Sequence, residues 1–500
     1  MAKENSAEIG FEKEIWEAAN ELRGSMSSNE YKHVVLGLIF LKYLSDKFEE
    51  KYEELKAEEY GDEEDRDEYT AEGIFFVPPE ARWEVIASKA HSPDNGQTID
   101  NAMVEIEREN ESLKGILPKT FSKPELDKKR LGAVIDLFTN IKISDHGDKQ
   151  DILGRTYEYC LSKFAENEGK KAGEFYTPAC VVKTLVSILK PYDGRVYDPC
   201  CGSGGMFVQS KQFVDNHQGN IDNLSIFGQE YNATTWKMAK MNLAIRGIEA
   251  DLGDHYADTF SNDLHDRLRA DYILANPPFN LKKWGQKELT EDKRWKYGLP
   301  PAGNANFAWM QHMIYHLSER GKIGLVLANG SLSSTTSGEG KIRQAIVEDD
   351  LVEGIIALPT QLFYTTGIPV CLWFLNKNKK QKGKTLFIDA RELGTMVSRK
   401  LRELTQEDID LLADTFNKFE EGTLEDEKGF CKVVEMDEIE KHDFILTPGR
   451  YVGFKPEEDD GIPFEEKMET LTKELKELFE ESHDLEEKIK KSLGEIGFEF

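Results

Sequence analysis

The sequence predicts an α/β protein: an all-helical domain, then a parallel sheet with crossover helices, then a single C-terminal helix. From Ile9 to about Asn167 the apolar residues recur with helical periodicity. After Thr177-Pro178 the texture changes to short β-branched or apolar runs that alternate with helical stretches, as strands joined by crossover helices do. The final stretch repeats apolar residues at alternating spacings of three and four, which is a heptad seam.

A chain of 500 residues exceeds what one hydrophobic core serves, and 39% hydrophobic residues suffice to build several domains. In the first, residues 1–167, Phe11, Ile15, Trp16, Ala19 and Leu22 fall on one helical face, and Leu36, Ile39, Phe40, Tyr43, Leu44 and Phe48 fall on another. The apolar run from His33 to Leu44 reads as a buried helix, and the charge-dense stretch from Glu49 to Glu72 reads as a helix end and solvated loop. In the second domain, 168–400, strands are expected at Arg195–Asp198, Ser225–Gln229, Asp271–Ala275, Lys322–Ala328 and Leu351–Leu358. Pro369–Leu375 and Thr385–Asp389 could close the sheet. Residues 401–460 read as a charged extension carrying one apolar island at Phe444–Phe454. In 461–500, Met468, Leu471, Leu475, Leu478, Ser482, Leu485 and Ile489 form the seam of a helix that either meets a partner or packs back on its own chain.

Composition excludes several classes. No run approaches the roughly 18 apolar residues of a membrane span, and Met1–Gly10 is polar and acidic rather than a secretory signal, so a cytoplasmic protein is expected. Six cysteines without a CxxC pair form neither a disulfide framework nor a zinc site, and no metal is expected. They read as small buried apolar residues. A net charge of -29 opposes solitary wrapping of a phosphate backbone, whose affinity comes from lysine and arginine.

Two motifs carry chemistry. Val196-Tyr197-Asp198-Pro199-Cys200-Cys201-Gly202-Ser203-Gly204-Gly205-Met206-Phe207 is a strand running into a glycine-rich turn and then a helix, where a ligand can approach bare backbone. Such a turn also suits dinucleotides, or is simply a turn. The acid at the strand end, Asp198, differs from the dinucleotide fingerprint and can meet an ammonium, which S-adenosylmethionine has. Some 30 residues on, Glu230 follows the next strand, where a doubly wound fold holds a ribose through its hydroxyls.

The second motif is Asn276-Pro277-Pro278-Phe279, at the end of an apolar strand. An exocyclic base amine is a poor nucleophile because its lone pair is delocalised into the ring. Accepting both its hydrogens, on the Asn276 amide oxygen and the Pro277 carbonyl, would localise that pair for in-line attack, with Phe279 stacked on the base. Such a base must be flipped out of its duplex. The bland alternative is a rigid strand-end turn.

This motif pair resembles the amino-methyltransferases that modify adenine N6, a superfamily in which similar tetrapeptides also serve RNA and protein-glutamine enzymes. Gly173-Glu174-Phe175-Tyr176-Thr177-Pro178 precedes the glycine loop and resembles the segment that folds over the methionine end of the cofactor in the DNA adenine enzymes. Over nearly the whole chain the similarity is to the modification subunits of type I restriction-modification systems. The resemblance implies a Rossmann-like, S-adenosylmethionine-dependent methyltransferase sheet. It implies cofactor contacts at Glu174, Phe175, Tyr176, Thr177, Pro178 and Ala179, at Ser203, Gly204 and Gly205, and at Glu230, and the reading of the loop itself adds Asp198 and Gly202. Asp258 sits where such enzymes often place an acid near the cofactor adenine. The double cysteine departs from the small residues common in that loop without conflicting in size.

The resemblance also implies partners: DNA, a specificity subunit that reads the bases, a restriction subunit with motor and nuclease, and two copies of this chain per complex. The sequence agrees, since Gly383-Lys384-Thr385 lacks the earlier glycine of a nucleotide-binding loop and no basic reading domain follows the core. The alternative is a stand-alone amino-methyltransferase acting on DNA, RNA or a protein glutamine.

Overall fold

The computed structural model describes residues 16, 17, 20, 22, 28–58, 61–140, 156–164, 177–217, 219, 221–363, 368–399, 401–454 and 464–495. The chain divides into two units, Met1–Gly453 and Phe454–Phe500.

The first unit begins with helices built around α1 (Ser28–Ala57). Val34, Val35, Leu36, Leu38, Ile39, Phe40 and Leu41 are all buried, so this stretch of the helix is enclosed on every side and lies in the core of its domain, while the charged end from Glu49 on is largely exposed. Gly37 lets it through: a Cβ there would lie 2.4 Å from Pro118 Cγ. Around it pack α2 (Asn95–Glu109), α3 (Lys128–Asn140) and the helical residues 156–164. The described residues before 177 contain no strand, and the charged stretch after Glu49 stays helical to Ala57 before turning. The same core takes in Met238, Met241 and Ile245 from the neighbouring sheet domain.

That domain is a nine-stranded sheet whose strands lie in the order Cys431–Glu435, Lys384–Asp389, Val352–Ala357, Val370–Asn376, Leu317–Ala328, Ala270–Ala275, Gly194–Asp198, Leu224–Gly228 and Ala250–Asp251. Five neighbouring strands, β1 (Gly194–Asp198), β2 (Leu224–Gly228), the edge strand β3 (Ala250–Asp251), β4 (Ala270–Ala275) and β5 (Leu317–Ala328), are mutually parallel. Helices α4 (Ala179–Leu189), α5 (Gly205–Asn216) and α6 (Ala233–Ile245) cover one face. On the other lie α7 (Asn306–His316) and α8 (Glu339–Glu348). Alternate strand residues serve the two cores: Val196 and Leu274 face the first, and Tyr197, Ile273 and Ala275 face the second.

The five strands expected in a parallel sheet, at 194–198, 224–228, 270–275, 317–328 and 352–357, do run in one direction, and the sheet as a whole is mixed. β7 (Val370–Asn376) lies between β5 and β6 (Val352–Ala357) and runs antiparallel to both. Every residue of β6 and β7 is buried, Glu353 and Asn376 included, and a strand buried on both faces carries no mark of direction. β8 (Lys384–Asp389) pairs in parallel with β6.

The stretch expected as a charged extension supplies a small hairpin, β9 (Thr395–Met396) with β10 (Arg402–Glu403), then α9 (Gln406–Glu421) and the sheet-edge strand β11 (Cys431–Glu435). β11 mixes Lys432 and Glu435 with the buried Val434, as edge strands do. Phe444, Leu446, Tyr451 and Val452 of the apolar island join the second core.

The second unit contains α10 (Phe464–Glu495). Its seam residues Met468, Leu471, Leu475, Leu478, Leu485 and Ile489 are all exposed. Among the described residues no helix is long and apolar enough to cross a membrane. Of the free cysteines, Cys160, Cys201, Cys371 and Cys431 are buried and Cys180 and Cys200 half-buried.

Candidate active site

β1 is flanked by β2 on one side and β4 on the other, so the crevice beyond its carboxyl end is the point where strand order reverses and α/β sheets bind ligands. The glycine loop and Asn276 both open there. One cleft is lined by Thr177, Ala179, Asp198, Gly202, Ser203, Gly205 and Asn276, seven residues that the sequence singled out on three separate segments. Glu174, Phe175 and Tyr176 lie outside the described residues. Pro178, Gly204, Glu230, Asp258, Pro277, Pro278 and Phe279 do not line this cleft.

The loop is held by hydrogen bonds from every side. Asp198, 2% exposed, accepts from the Cys200 N–H at 3.0 Å, and the Cys201 N–H donates to the Gln229 carbonyl at 3.0 Å. Gly202 and Gly204 take φ of 55° and 81°, the left-handed region in which a side chain is strained. Gly204 opens α5 without a side-chain cap, leaving first-turn N–H groups for a ligand. From the helix after β2, Asn242 donates to the Ser203 carbonyl at 2.7 Å.

Glu230 is buried rather than open. Its two carboxylate oxygens accept from Gly202 N–H at 3.1 Å and from Asn232 N–H at 2.8 Å, tying the end of β2 to the glycine loop. Burial pushes its carboxyl above the usual range, and burial pushes that of Asp198 up to about 7 against the pull of the Cys200 N–H. Burial likewise raises the Cys200 and Cys201 thiols well above their ordinary value, so both stay protonated and neither is a nucleophile. Asp258 accepts from Phe260 N–H at 2.7 Å and Ser261 N–H at 3.2 Å, closing a turn. The adjacent Ala257 N–H reaches the Glu230 carbonyl at 3.0 Å.

Across the cleft, Asn276 donates its Nδ2 to Thr177 Oγ1 at 2.9 Å. Its Oδ1 is buried and has no hydrogen-bond partner among the described residues, a costly state for an amide oxygen unless a ligand supplies the donor. Phe279 stands edge-on to Phe363, ring centroids 6.0 Å apart at 75°. Asn280 turns the chain with φ 55° and is gripped by Asn306: Asn280 N–H donates to Asn306 Oδ1, and Asn306 Nδ2 donates to Asn280 Oδ1, each at 3.0 Å. Cys200 and Cys201 of the glycine loop line the same cleft, and sequence reasoning missed Asn242, Glu158 and Gln209, which line it too.

Asp263, His312 and His316 bring potential metal ligands within 4.8 Å of one another. Hydrogen bonds account for their atoms: His316 spans Asp263 Oδ2 at 2.8 Å and the Leu268 carbonyl at 3.2 Å. His312 lies between Tyr197 Oη and Arg294 Nη1, both at 3.1 Å, and a guanidinium in that place opposes a second cation.

The N-6 DNA Methylase family matches residues 148–460, and the HsdM N-terminal domain family matches residues 11–138. The methylase subunit of the type I restriction enzyme HindI from Haemophilus influenzae is 50% identical, over 85% of this chain and 100% of that protein. The MjaIX methylase subunit from Methanocaldococcus jannaschii is 41% identical, over 98% of this chain and 92% of its own. Among solved structures, the methyltransferase subunit of a type I restriction-modification system from Streptococcus thermophilus superimposes with a TM-score of 0.76 at 26% identity, covering 88% of this chain and 99% of that one.

Proposed function

The chain belongs to the N-6 DNA methylase family, among the methylase subunits of type I restriction enzymes, and we propose that it methylates the N6 amine of a flipped-out adenine in DNA at the cleft between the glycine loop and Asn276. The observation that carries the mechanism is the buried Oδ1 of Asn276, which has no partner among the described residues. A base amine placed there donates one hydrogen to that oxygen and the other to the Pro277 carbonyl. Both acceptors draw the nitrogen lone pair out of the ring and aim it. Thr177 keeps the amide oriented through its 2.9 Å hydrogen bond, and Phe279 offers the aromatic face on which the base stacks.

The cofactor we assign is S-adenosylmethionine, which supplies an activated methyl on a sulfonium when bound. The residues fit it: the cleft carries acids and no lysine, arginine or histidine among its described lining residues, which suits a ligand of net positive charge. Thr177, Pro178 and Ala179, with Glu174, Phe175 and Tyr176 just before them, form the proposed contact to its methionine end. Asp198, Gly202, Ser203, Gly204 and Gly205 surround the same end from the glycine loop. Glu230 and Asp258 are assigned to ribose and adenine. In both, the carboxylate holds the backbone of the contact loop through the hydrogen bonds described, so loop shape and ligand grip depend on the same group.

The partners follow from charge. A chain of net charge -29 holds DNA poorly by itself, so a specificity subunit supplies base reading and much of the grip, and a restriction subunit supplies the motor and nuclease. Two copies of this chain would then clamp the duplex, in the cytoplasm where that DNA lies. The test is transfer of labelled methyl from S-adenosylmethionine to unmethylated genomic DNA. Label on adenine N6 is expected only when the specificity subunit is present. Label with this chain alone would make it a solitary methyltransferase, and label on RNA or protein instead would overturn the DNA assignment.

A further inference from the structure

We propose that Glu158, on the helical residues 156–164 of the N-terminal domain, is the acceptor for the α-ammonium of S-adenosylmethionine, an inference that rests on the cofactor reading above. Glu158 lines the same cleft as Thr177, Ser203 and Asn276, although it lies well upstream of every motif that announces the site. Asp198 and Glu158 are the two acids among the described lining residues, and they differ in kind. Asp198 is 2% exposed and spends an oxygen on the Cys200 N–H. Glu158 keeps its side chain 29% exposed and open to the cleft. An ammonium gains most from a carboxylate that remains charged and reachable, and burial leaves Asp198 poorly suited to that part.

The carboxylate is also held in place. Arg246 Nη2 donates to Glu158 Oε2 at 3.3 Å. The same guanidinium binds Asn242 Oδ1 through Nη1, and Asn242 Nδ2 donates to the Ser203 carbonyl at 2.7 Å. One continuous chain of hydrogen bonds therefore runs from Glu158 to the glycine loop. Beside it, Tyr157 Oη donates to the Met238 carbonyl at 3.2 Å, seating the helical residues against α6. Among the described residues Glu158 Oε1 has no hydrogen-bond partner of its own and is left for a ligand. The other end of the amino acid, a carboxylate, meets the uncapped N–H groups at the start of α5. The helical domain then supplies a wall of the cofactor site.

Calorimetric binding to the full-length chain tests this with two probes. S-adenosylhomocysteine carries the amino acid moiety and cannot be turned over, and methylthioadenosine lacks that moiety. Glu158→Gln should weaken S-adenosylhomocysteine about ten- to hundredfold and leave methylthioadenosine within about twofold, with Glu158→Asp intermediate. Unchanged affinity for S-adenosylhomocysteine in the glutamine variant would overturn the proposal. Equal loss of both ligands would do the same, since it marks a structural role. A wild-type chain that binds neither probe would overturn the cofactor reading itself, and the two failures are thus told apart.

Discussion

The mechanism proposed for Asn276 concentrates the chemistry in one amide whose two ends face different duties. Nδ2 is fixed by Thr177 and Oδ1 awaits a donor, so the side chain is oriented before any base arrives. Asn276→Ala should lower single-turnover methyl transfer by at least about 10²-fold and leave cofactor affinity within a few-fold, because it removes an acceptor that acts on the base alone. Thr177→Val should cost about tenfold in the same assay, since it frees the amide to rotate without deleting it. Asp198 offers a test in stability. Burial raises its carboxyl from 3.8 to about 7, so between those values the folded chain holds a proton that the unfolded chain has released. Its contribution is present at low pH and is lost as pH rises toward 7, at up to roughly 1.4 kcal/mol per pH unit. Asp198→Asn keeps an acceptor for the Cys200 N–H and cannot ionise. Its melting temperature relative to wild type should climb from about pH 4 to 7 and then level off, and a flat difference would show that Asp198 titrates normally. The glycine loop and Asn276-Pro277-Pro278-Phe279 were legible because few backbone shapes demand those residue types in that order. Glu158 and Asn242 were not, because nothing beside them in sequence distinguishes them and only the tertiary chain through Arg246 brings them to the cleft.

Elements carry the contacts with other molecules. The loop after Phe279 is pinned by Lys283 N–H to the Ala302 carbonyl at 3.2 Å, Ala305 N–H to the Leu281 carbonyl at 3.0 Å and Trp284 Nε1 to the Pro301 carbonyl at 3.0 Å. On this fixed base Lys282, Lys283 and Lys287 are exposed, a local exception in an acidic chain and close in sequence to the base pocket. Replacing Lys282 and Lys283 by Ala should raise the KM for DNA without changing kcat at saturation, and flatten the log–log salt dependence of DNA binding by the assembled enzyme by about two. An unchanged slope would remove these lysines from the DNA path. α10 presents its seam to solvent, and a chain ending before Phe464 should fail to co-purify with the specificity subunit if that seam is the docking contact. Undiminished co-purification would assign docking elsewhere. Most strands were legible within a residue or two because β-branched runs bounded by turns are local signals. The antiparallel course of β7 was hidden, since pairing direction belongs to neighbours that a strand meets only in the fold. β11 was hidden by its edge position, which tolerates the charged residues that made 401–460 look like an extension.

For the whole molecule the governing quantity is charge. With 93 acidic residues against 64 basic ones, the chain repels a phosphate backbone over distances longer than any single contact. In the proposed mechanism a flipped base held by Asn276 and Phe279 would offset part of that repulsion only after the duplex has been brought near and opened, and opening costs about a few kcal/mol by itself. Recognition must therefore come before base capture, and the component that recognises must carry the positive charge this chain lacks. It follows that the isolated chain should bind cofactor normally and show little affinity for duplex DNA at any ionic strength. The complex with its specificity subunit should bind tightly at about 50 mM salt and weaken steeply toward about 200 mM, as counterion release requires. Fluorescence anisotropy with one labelled duplex measures both cases. Tight, salt-sensitive binding by the chain alone would mean that its few basic loops dominate the field at the cleft, and the division of labour between this subunit and its partner would have to be redrawn.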